Sequence, residues 1–339
     1  MSSMSSNSLI TTDVDYDQGG YQAGYLRLPY SHDRSGYGFI PIPIAVLKQG
    51  EGPTVLLTGG NHGDEYEGPV ALMKLIRRMP DLQISGRIIV IPGLNFPALL
   101  NGSRTSPIDN ANLNRVFPGK RNGSLTEMIA HYADTVLFPM ADFVFDIHAG
   151  GLSTNYLPTV LAYPPLDPVR RETYRKIVQA FGAPRVMIMD MLGEDRTYGA
   201  AVERQDTYFL CGEFGGHATC SVEGTRIVEQ GLERMMHALG VLNSRAPLAP
   251  TLGNRLLKVE GAEHYIFAPV AGIFEPAFTL GDEVVAGQLA GRIHDPRRPQ
   301  AVPVEIFFKA AGLIICTRTL ASVEPGDCLG HLASDTDWP

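Results

Sequence analysis

"TVLLTGGNHGDEYEGPVALMKLIRRM", residues 54–79, decides the fold. Residues 54–60 are an apolar run closed by two glycines and read as a buried strand. Residues 65–79 place apolar side chains at helical spacing and read as the helix that follows. Between the two lies a polar, glycine-bearing turn, Asn61-His62-Gly63-Asp64-Glu65, with a histidine and a glutamate three positions apart.

The same alternation continues to about Leu242. Apolar runs at 86–93, 141–151, 159–164, 185–191 and 207–216 predict strands, and 125–137, 168–181 and 221–240 predict helices. Near-continuous apolar strands alternating with helices belong to an α/β fold, a mainly parallel mixed sheet covered on both faces. Beyond a Pro-bearing linker at 243–254 the character changes. Gly-punctuated short strands over 255–333, with no convincing helix, predict a small all-β C-terminal domain of sandwich or barrel type. Its rhythm over 268–293 resembles the lipoyl/biotinyl module without that module's modifiable lysine. The expected units are therefore a β-rich lead-in at 1–50, a catalytic domain at 51–245 and the β domain at 255–333.

Composition narrows the function. With 339 residues, 44% hydrophobic and 19% charged, the chain has the make-up of a globular protein with a sizeable core. A net charge of −8 without a Lys/Arg block argues against nucleic acid or an anionic membrane as partner. No run of 18 apolar residues is present, and the N-terminus lacks the basic and apolar regions of a signal peptide. The four cysteines form no C-x-x-C pair. The expectation is a cytoplasmic protein with reduced thiols.

In an open parallel sheet, ligands collect at the carboxyl ends of strands. Three strand ends carry chemistry: 54–58 runs into His62 and Glu65, 142–147 ends on His148, and 207–212 ends on Glu213, each beside glycines. Each feature alone is weak, since a lone H-x-x-E is common and a strand-end histidine is often a core residue. Together they predict convergence. Two imidazoles and a carboxylate are a ligand set for catalytic zinc with an open position for water, so His62, Glu65 and His148 are the expected ligands of one Zn²⁺ per chain. A free carboxylate then serves as base, and Glu213 has that place. Asp146, two residues before His148, could orient that ring. Of the remaining histidines, His217 is the one reserve ligand.

Between these ends lies a long polar segment, "NGSRTSPIDNANLNRVFPG" (101–119), carrying Arg104, Asn112, Asn114 and Arg115. A guanidinium beside an amide suits fork-like binding of a carboxylate, and a second arginine could polarise a scissile carbonyl. A solvated loop held by Asn turns would look the same.

In combination and order, H-x-x-E, N-R, D-x-H and E-x-G-G resemble the succinylglutamate desuccinylase/aspartoacylase family, within the zinc-carboxypeptidase-like enzymes. The motif likeness covers about residues 50–240 and extends to the C-terminal β domain in architecture. The resemblance implies His62, Glu65 and His148 as zinc ligands and Glu213 as general base. It implies Asn114 and Arg115 as the grip on the substrate carboxylate. Arg104 is the nearest match to the carbonyl-polarising arginine, at a longer spacing from Asn114 than in aspartoacylase itself. The lead-in and the 103–119 segment look most like the subgroup of N-acetyl-diaminobutyrate deacetylases of ectoine breakdown. The resemblance therefore implies a zinc-dependent hydrolase of a small N-acyl amino acid, expected to form a homo-oligomer, with no nucleic-acid or membrane partner.

The residues leave the substrate open. An acidic N-acyl amino acid wants a further arginine, which Arg196 or Arg204 could supply; an N-acyl diaminobutyrate wants an acid, which Glu194, Asp195, Glu203 or Asp206 could supply. A small-peptide zinc carboxypeptidase and a non-catalytic metal-binding relic are the rival readings. No G-x-S-x-G elbow and no phosphate-binding glycine loop occurs.

Overall fold

A computed structural model describes residues 8–189, 194–243 and 253–339. Its centre is a large mixed sheet. From one edge the order runs Gly20–Pro29, Phe39–Gln49, Gly86–Ile91, Thr54–Gly59, Phe143–His148, Tyr208–Glu213, Thr159–Ala162, Arg185–Ile188, Arg255–Lys258, Cys328–Asp335 and Gly312–Arg318, with short strands at both ends. Strands 86–91, 54–59, 143–148 and 208–213 are mutually parallel neighbours. Strands 159–162, 185–188 and 255–258 form a second parallel set, joined antiparallel to the first through 208–213. Parallel pairing among the described strands is confined to these two sets. The lead-in adds an antiparallel hairpin, Gly20–Pro29 with Phe39–Gln49, and the C-terminal strands add antiparallel neighbours on the far side.

Side-chain alternation divides the core. Leu56, Ile89, Val144 and Phe209 face one side, against Met128, Ile129, Tyr198 and Val202 of helices Leu125–Tyr132 and Tyr198–Glu203. Val55, Leu57, Phe143, Phe145 and Leu210 face the other, against helices Glu67–Arg78, Pro168–Phe181 and Val222–Ala238. Helices therefore cover both faces, because the apolar runs have no polar side to show to water. Side chains seal the starts of the two longest helices: the Asp167 carboxylate accepts from the Arg170 N–H at 2.8 Å, and Ser221 Oγ accepts from the Gly224 N–H at 3.1 Å.

Past Gly253 the chain forms a separate small antiparallel sheet, strands Val304–Phe307, Leu289–His294, Gly272–Pro276 and Ser322–Val323. It has its own apolar cluster around Phe274, Phe278, Ile293 and Phe308. Strands Arg255–Lys258, Gly312–Arg318 and Cys328–Asp335 instead continue the large sheet. The linker read at 243–254 lies largely outside the described residues, as do the last two positions of the strand read at 185–191. Among the described residues no helix is long and apolar enough to cross a membrane.

Candidate functional site

Strands Thr54–Gly59, Phe143–His148 and Tyr208–Glu213 are parallel and adjacent, with Glu213 opposite His148 and Gly59 opposite Ile147. Their carboxyl ends therefore lie on one edge of the sheet. His62 and Glu65 sit in the turn between strand Thr54–Gly59 and helix Glu67–Arg78. That turn passes directly against helix Phe96–Asn101: a Cβ on Gly63 would fall 2.0 Å from the Ala98 carbonyl. The Gly63 N–H is donated to the Ser103 carbonyl at 2.9 Å, which ties the turn to the start of the 101–119 segment.

The structure brings His62, Glu65 and His148 together as a buried group whose ligand-type atoms all lie within 4.8 Å of one another. Glu65 spans the pair: one carboxylate oxygen is 2.7 Å from His62 Nδ1 and the other 2.8 Å from His148 Nδ1. Both outward nitrogens are held as well, His148 Nε2 by Asp146 at 2.8 Å and His62 Nε2 by the Asn112 side-chain oxygen at 3.2 Å. Asp146 is fully buried and also accepts from Thr58 Oγ1 and Asn61 Nδ2, both at 2.8 Å.

This donor set fits a divalent cation. With Nε2 of His148 donating to Asp146, its Nδ1 faces a Glu65 oxygen, and a proton or a cation has to lie between them. Burial works against a charged imidazole here, but the Asp146 and Glu65 carboxylates outweigh it and hold His148 well above the ordinary histidine range. Burial likewise pushes the Glu65 carboxyl up, yet the two imidazoles dominate and hold it below the usual carboxylate range. A metal ion replaces such protons.

Glu213 behaves in the opposite way. Burial, and after it the negative charge of Glu65, push its carboxyl up to about 8, against a smaller opposing pull from His148 and Arg104. One of its carboxylate oxygens is buried without a hydrogen-bond partner. A carboxyl held near neutrality with an orphaned oxygen is suited to accepting and returning a proton.

Arg104 stands on the rim of the cluster with its side chain 47% exposed; Nη1 lies 3.4 Å from His62 Nδ1 and 3.7 Å from Glu65. Asn114 and Arg115 lie in a single helical turn, Leu113–Arg115. The Asn114 side-chain oxygen accepts from the Tyr198 N–H at 2.8 Å, and Arg115 donates to the Asn114 carbonyl at 2.6 Å. Both line a cavity of about 270 Å³ that also reaches Asp146 and His148. Tyr163, Tyr198, Phe209 and Glu194 line it as well.

The reserve ligand is not drawn in. His217 is exposed, in the left-handed region at φ +60°, and is not part of the metal-type cluster. Arg196 and Arg204 do not line the cavity. Arg196 forks onto Glu194 at 2.7 and 2.9 Å, and Arg204 donates to the Asp195 carbonyl at 3.0 Å. Two contributors were not singled out by sequence reasoning. Asn112 stood in the loop without a role, and Glu67 passed as part of a helix. The buried Glu67 accepts from the Ser221 N–H at 3.0 Å, tying the start of helix Glu67–Arg78 to the segment after Glu213. A carboxylate directly after the H-x-x-E turn was its only signal.

The chain is similar to known proteins along most of its length. Residues 51–239 match the model of the succinylglutamate desuccinylase/aspartoacylase catalytic domain. The chain is 39% identical over 326 residues to an N-alpha-acetyl-L-2,4-diaminobutyric acid deacetylase of Halomonas elongata, covering 96% of this chain and 95% of that protein. Among solved structures it is similar to the product-bound ectoine utilization protein EutE (DoeB) from Ruegeria pomeroyi, with a TM-score of 0.90 and 35% identity over 96% of this chain and 99% of that one. A succinylglutamate desuccinylase/aspartoacylase from Rhodobacter sphaeroides gives a TM-score of 0.89 at 37% identity, covering 97% and 99% of the two chains.

Proposed function

The chain belongs to the succinylglutamate desuccinylase/aspartoacylase family and is an enzyme that hydrolyses an N-acyl amide; from that premise we propose that its substrate is Nα-acetyl-L-2,4-diaminobutyrate, released as diaminobutyrate and acetate. The observation that carries this choice is that the cavity offers one guanidinium. Arg115 is the one guanidinium among its described lining residues, and an α-carboxylate takes it. A second, side-chain carboxylate would then find Asp146 and aromatic rings but no second guanidinium among the described lining. An ammonium instead meets the aromatic residues Tyr163, Tyr198 and Phe209, a kind of lining that favours a cation. Arg196, the candidate for an acidic substrate, and Glu194 are committed to each other, so neither is free to read the side chain. The identity to the Halomonas elongata deacetylase supports the same substrate.

His62, Glu65 and His148 would hold one Zn²⁺, a cation suited to two imidazole nitrogens and a carboxylate. Bound there, the cation supplies a Lewis acid and lowers the pKa of a water. The chain's own groups do the rest in our reading. Glu213 takes the proton of the attacking water and returns it to the leaving amine. The Arg104 guanidinium meets the developing negative charge on the carbonyl oxygen. Asn114 and Arg115 fix the α-carboxylate, and so the distance of the amide from the buried cluster. The zinc-carboxypeptidase-like ancestry of the fold, a cytoplasmic location, a homo-oligomer and the division of the chain into 1–50, 51–245 and 255–333 belong to the same proposal. The four free cysteines accord with the location.

The test is amine release by zinc-loaded protein from Nα-acetyl-diaminobutyrate, N-acetylaspartate, N-succinylglutamate and blocked peptides, with Glu213→Gln as control. Preferential release from the first, lost in the control, supports the reading. Preference for a dicarboxylate refutes the substrate and keeps the chemistry. Release from peptides longer than three residues would make the protein a carboxypeptidase instead.

A further inference from the structure

Asn112 has one side-chain oxygen with two donors on it. The backbone N–H of Asn114 reaches it at 2.9 Å and Nε2 of His62 at 3.2 Å. A backbone N–H can only donate, so the atom it meets must be the amide oxygen rather than the amide nitrogen. The orientation of the Asn112 amide is therefore fixed by the main chain. An amide oxygen can only accept, so the His62 Nε2 that faces it must carry a proton. Nδ1 of His62 is then the nitrogen left to coordinate, and it is the one turned to Glu65 at 2.7 Å.

The two ring nitrogens that point away from the buried cluster thus have different partners. His148 has a buried carboxylate, Asp146, whereas His62 has a neutral amide. The amide does a second job. By accepting from Asn114 it caps the turn Leu113–Arg115, and that turn presents Asn114 and Arg115 to the cavity. One oxygen atom therefore joins a metal-type histidine to the two residues assigned to the substrate carboxylate.

We propose that Asn112 is a positioning residue that sets the His62 tautomer for metal binding and ties it to the carboxylate-gripping turn. The inference rests on His62 being a metal ligand, and on no particular substrate. Its consequence is that metal affinity and carboxylate affinity share a determinant, so they separate or fall together according to what replaces the amide.

Three substitutions divide the two jobs. Asn112→Ala removes both contacts; Asn112→Ser keeps a good turn cap but is too short to reach His62; Asn112→Asp keeps an acceptor for both donors. Zinc dissociation constants come from competition with a chromophoric chelator, KM is taken at saturating zinc, and the His62 proton is located by nitrogen-15 NMR of the metal-free protein. Losing an outer partner of a ligand histidine weakens metal binding by about 10–100-fold. That loss is expected for the Ala and Ser variants, with KM raised in Ala and kept in Ser. The Asp variant is expected to bind zinc at least as tightly as the parent.

Zinc affinity within twofold of the parent in both Ala and Ser would overturn the proposal. So would a metal-free His62 carrying its proton on Nδ1 alone. Should the Ala variant fail to fold, the Ser variant and the NMR of the parent still decide. Neither readout depends on which acyl amino acid is cleaved, so a wrong substrate assignment and a wrong role for Asn112 give different results.

Discussion

At the scale of single residues, Glu213 carries the sharpest expectations. As the group that shuttles the proton, it should cost about 10²–10⁴-fold in kcat when replaced by Gln, with zinc affinity unchanged, because it is outside the metal-type cluster. Single-turnover amine release and a chelator titration check the two halves. Its pKa, pushed up to about 8, also has a stability consequence. A carboxyl whose folded value is raised contributes stability that is present below its unfolded value and is lost as pH rises through the folded one. In metal-free protein the wild type should therefore weaken from about pH 5 upward, with the loss complete above about pH 8. Glu213→Gln lacks that loss, so its melting temperature should exceed the parent's at pH 8.5 and match it at pH 5. Equal melting temperatures at both would mean that the carboxyl is not strained by its surroundings. Arg115 is a simpler case. Replacing its fork by the point charge of Lys should raise KM by about tenfold with kcat little changed, since it holds a part of the substrate that does not react.

At the scale of elements, the turn at 61–65 depends on Gly63. A Cβ there would overlap the Ala98 backbone at 2.0 Å, and backbone cannot step aside as a flexible side chain can. Gly63→Ala should push the turn off helix Phe96–Asn101, displace His62 and Glu65, and cost about 1–3 kcal/mol or more. Thermal melts and zinc competition would show both effects. Gly36→Ala, where an added Cβ meets nothing within 4 Å, is the control expected to be silent. The same elements show what sequence can and cannot deliver. The strands were legible because each is a continuous apolar run, and the helices at 67–78, 168–181 and 222–238 because they are long enough to show a period. Helices Phe96–Asn101 and Tyr198–Glu203 went unread; six residues are less than two turns, too few for a pattern. The grouping of His62, Glu65 and His148 was legible because parallel strands deliver their ends to one edge. The contact of Asn112 with His62 was not, because nothing in a loop's sequence fixes which side chain it turns toward a strand end fifty positions away. The sign of the cavity stayed open for a similar reason: Arg196 and Glu194 are both in the sequence, and only geometry shows them paired with each other.

At the scale of the whole molecule, the C-terminal β unit is built into the part that carries the site. In sequence it reads as a small all-β domain beyond a linker. Yet strand Arg255–Lys258 lies parallel along the full length of Arg185–Ile188, and Leu257 is wholly buried against that side of the core. Strand Thr154–Tyr156 pairs with Cys316–Arg318, the Leu157 N–H reaches the Ile315 carbonyl at 3.1 Å, and the Tyr156 hydroxyl meets His331 Nε2 at 3.2 Å. Those residues follow closely on His148, and the N–H groups of both Gly150 and Tyr156 are donated to the Gly215 carbonyl, two residues past Glu213. The β unit therefore braces the segment that links a metal-type histidine to the proposed base. Removing it would strip Arg185–Ile188 of its neighbour, leave an open strand edge and uncover apolar side chains such as Met187. A chain ending at Asn254 should consequently be insoluble or melt well below the intact protein, with weakened zinc binding, rather than persist as a working enzyme of broader substrate range. Solubility, a thermal melt and zinc competition on that truncated chain decide the matter. A soluble truncated protein with parental zinc affinity and a wider choice of substrates would show that the β unit is only a gate, and that the catalytic core holds its own geometry.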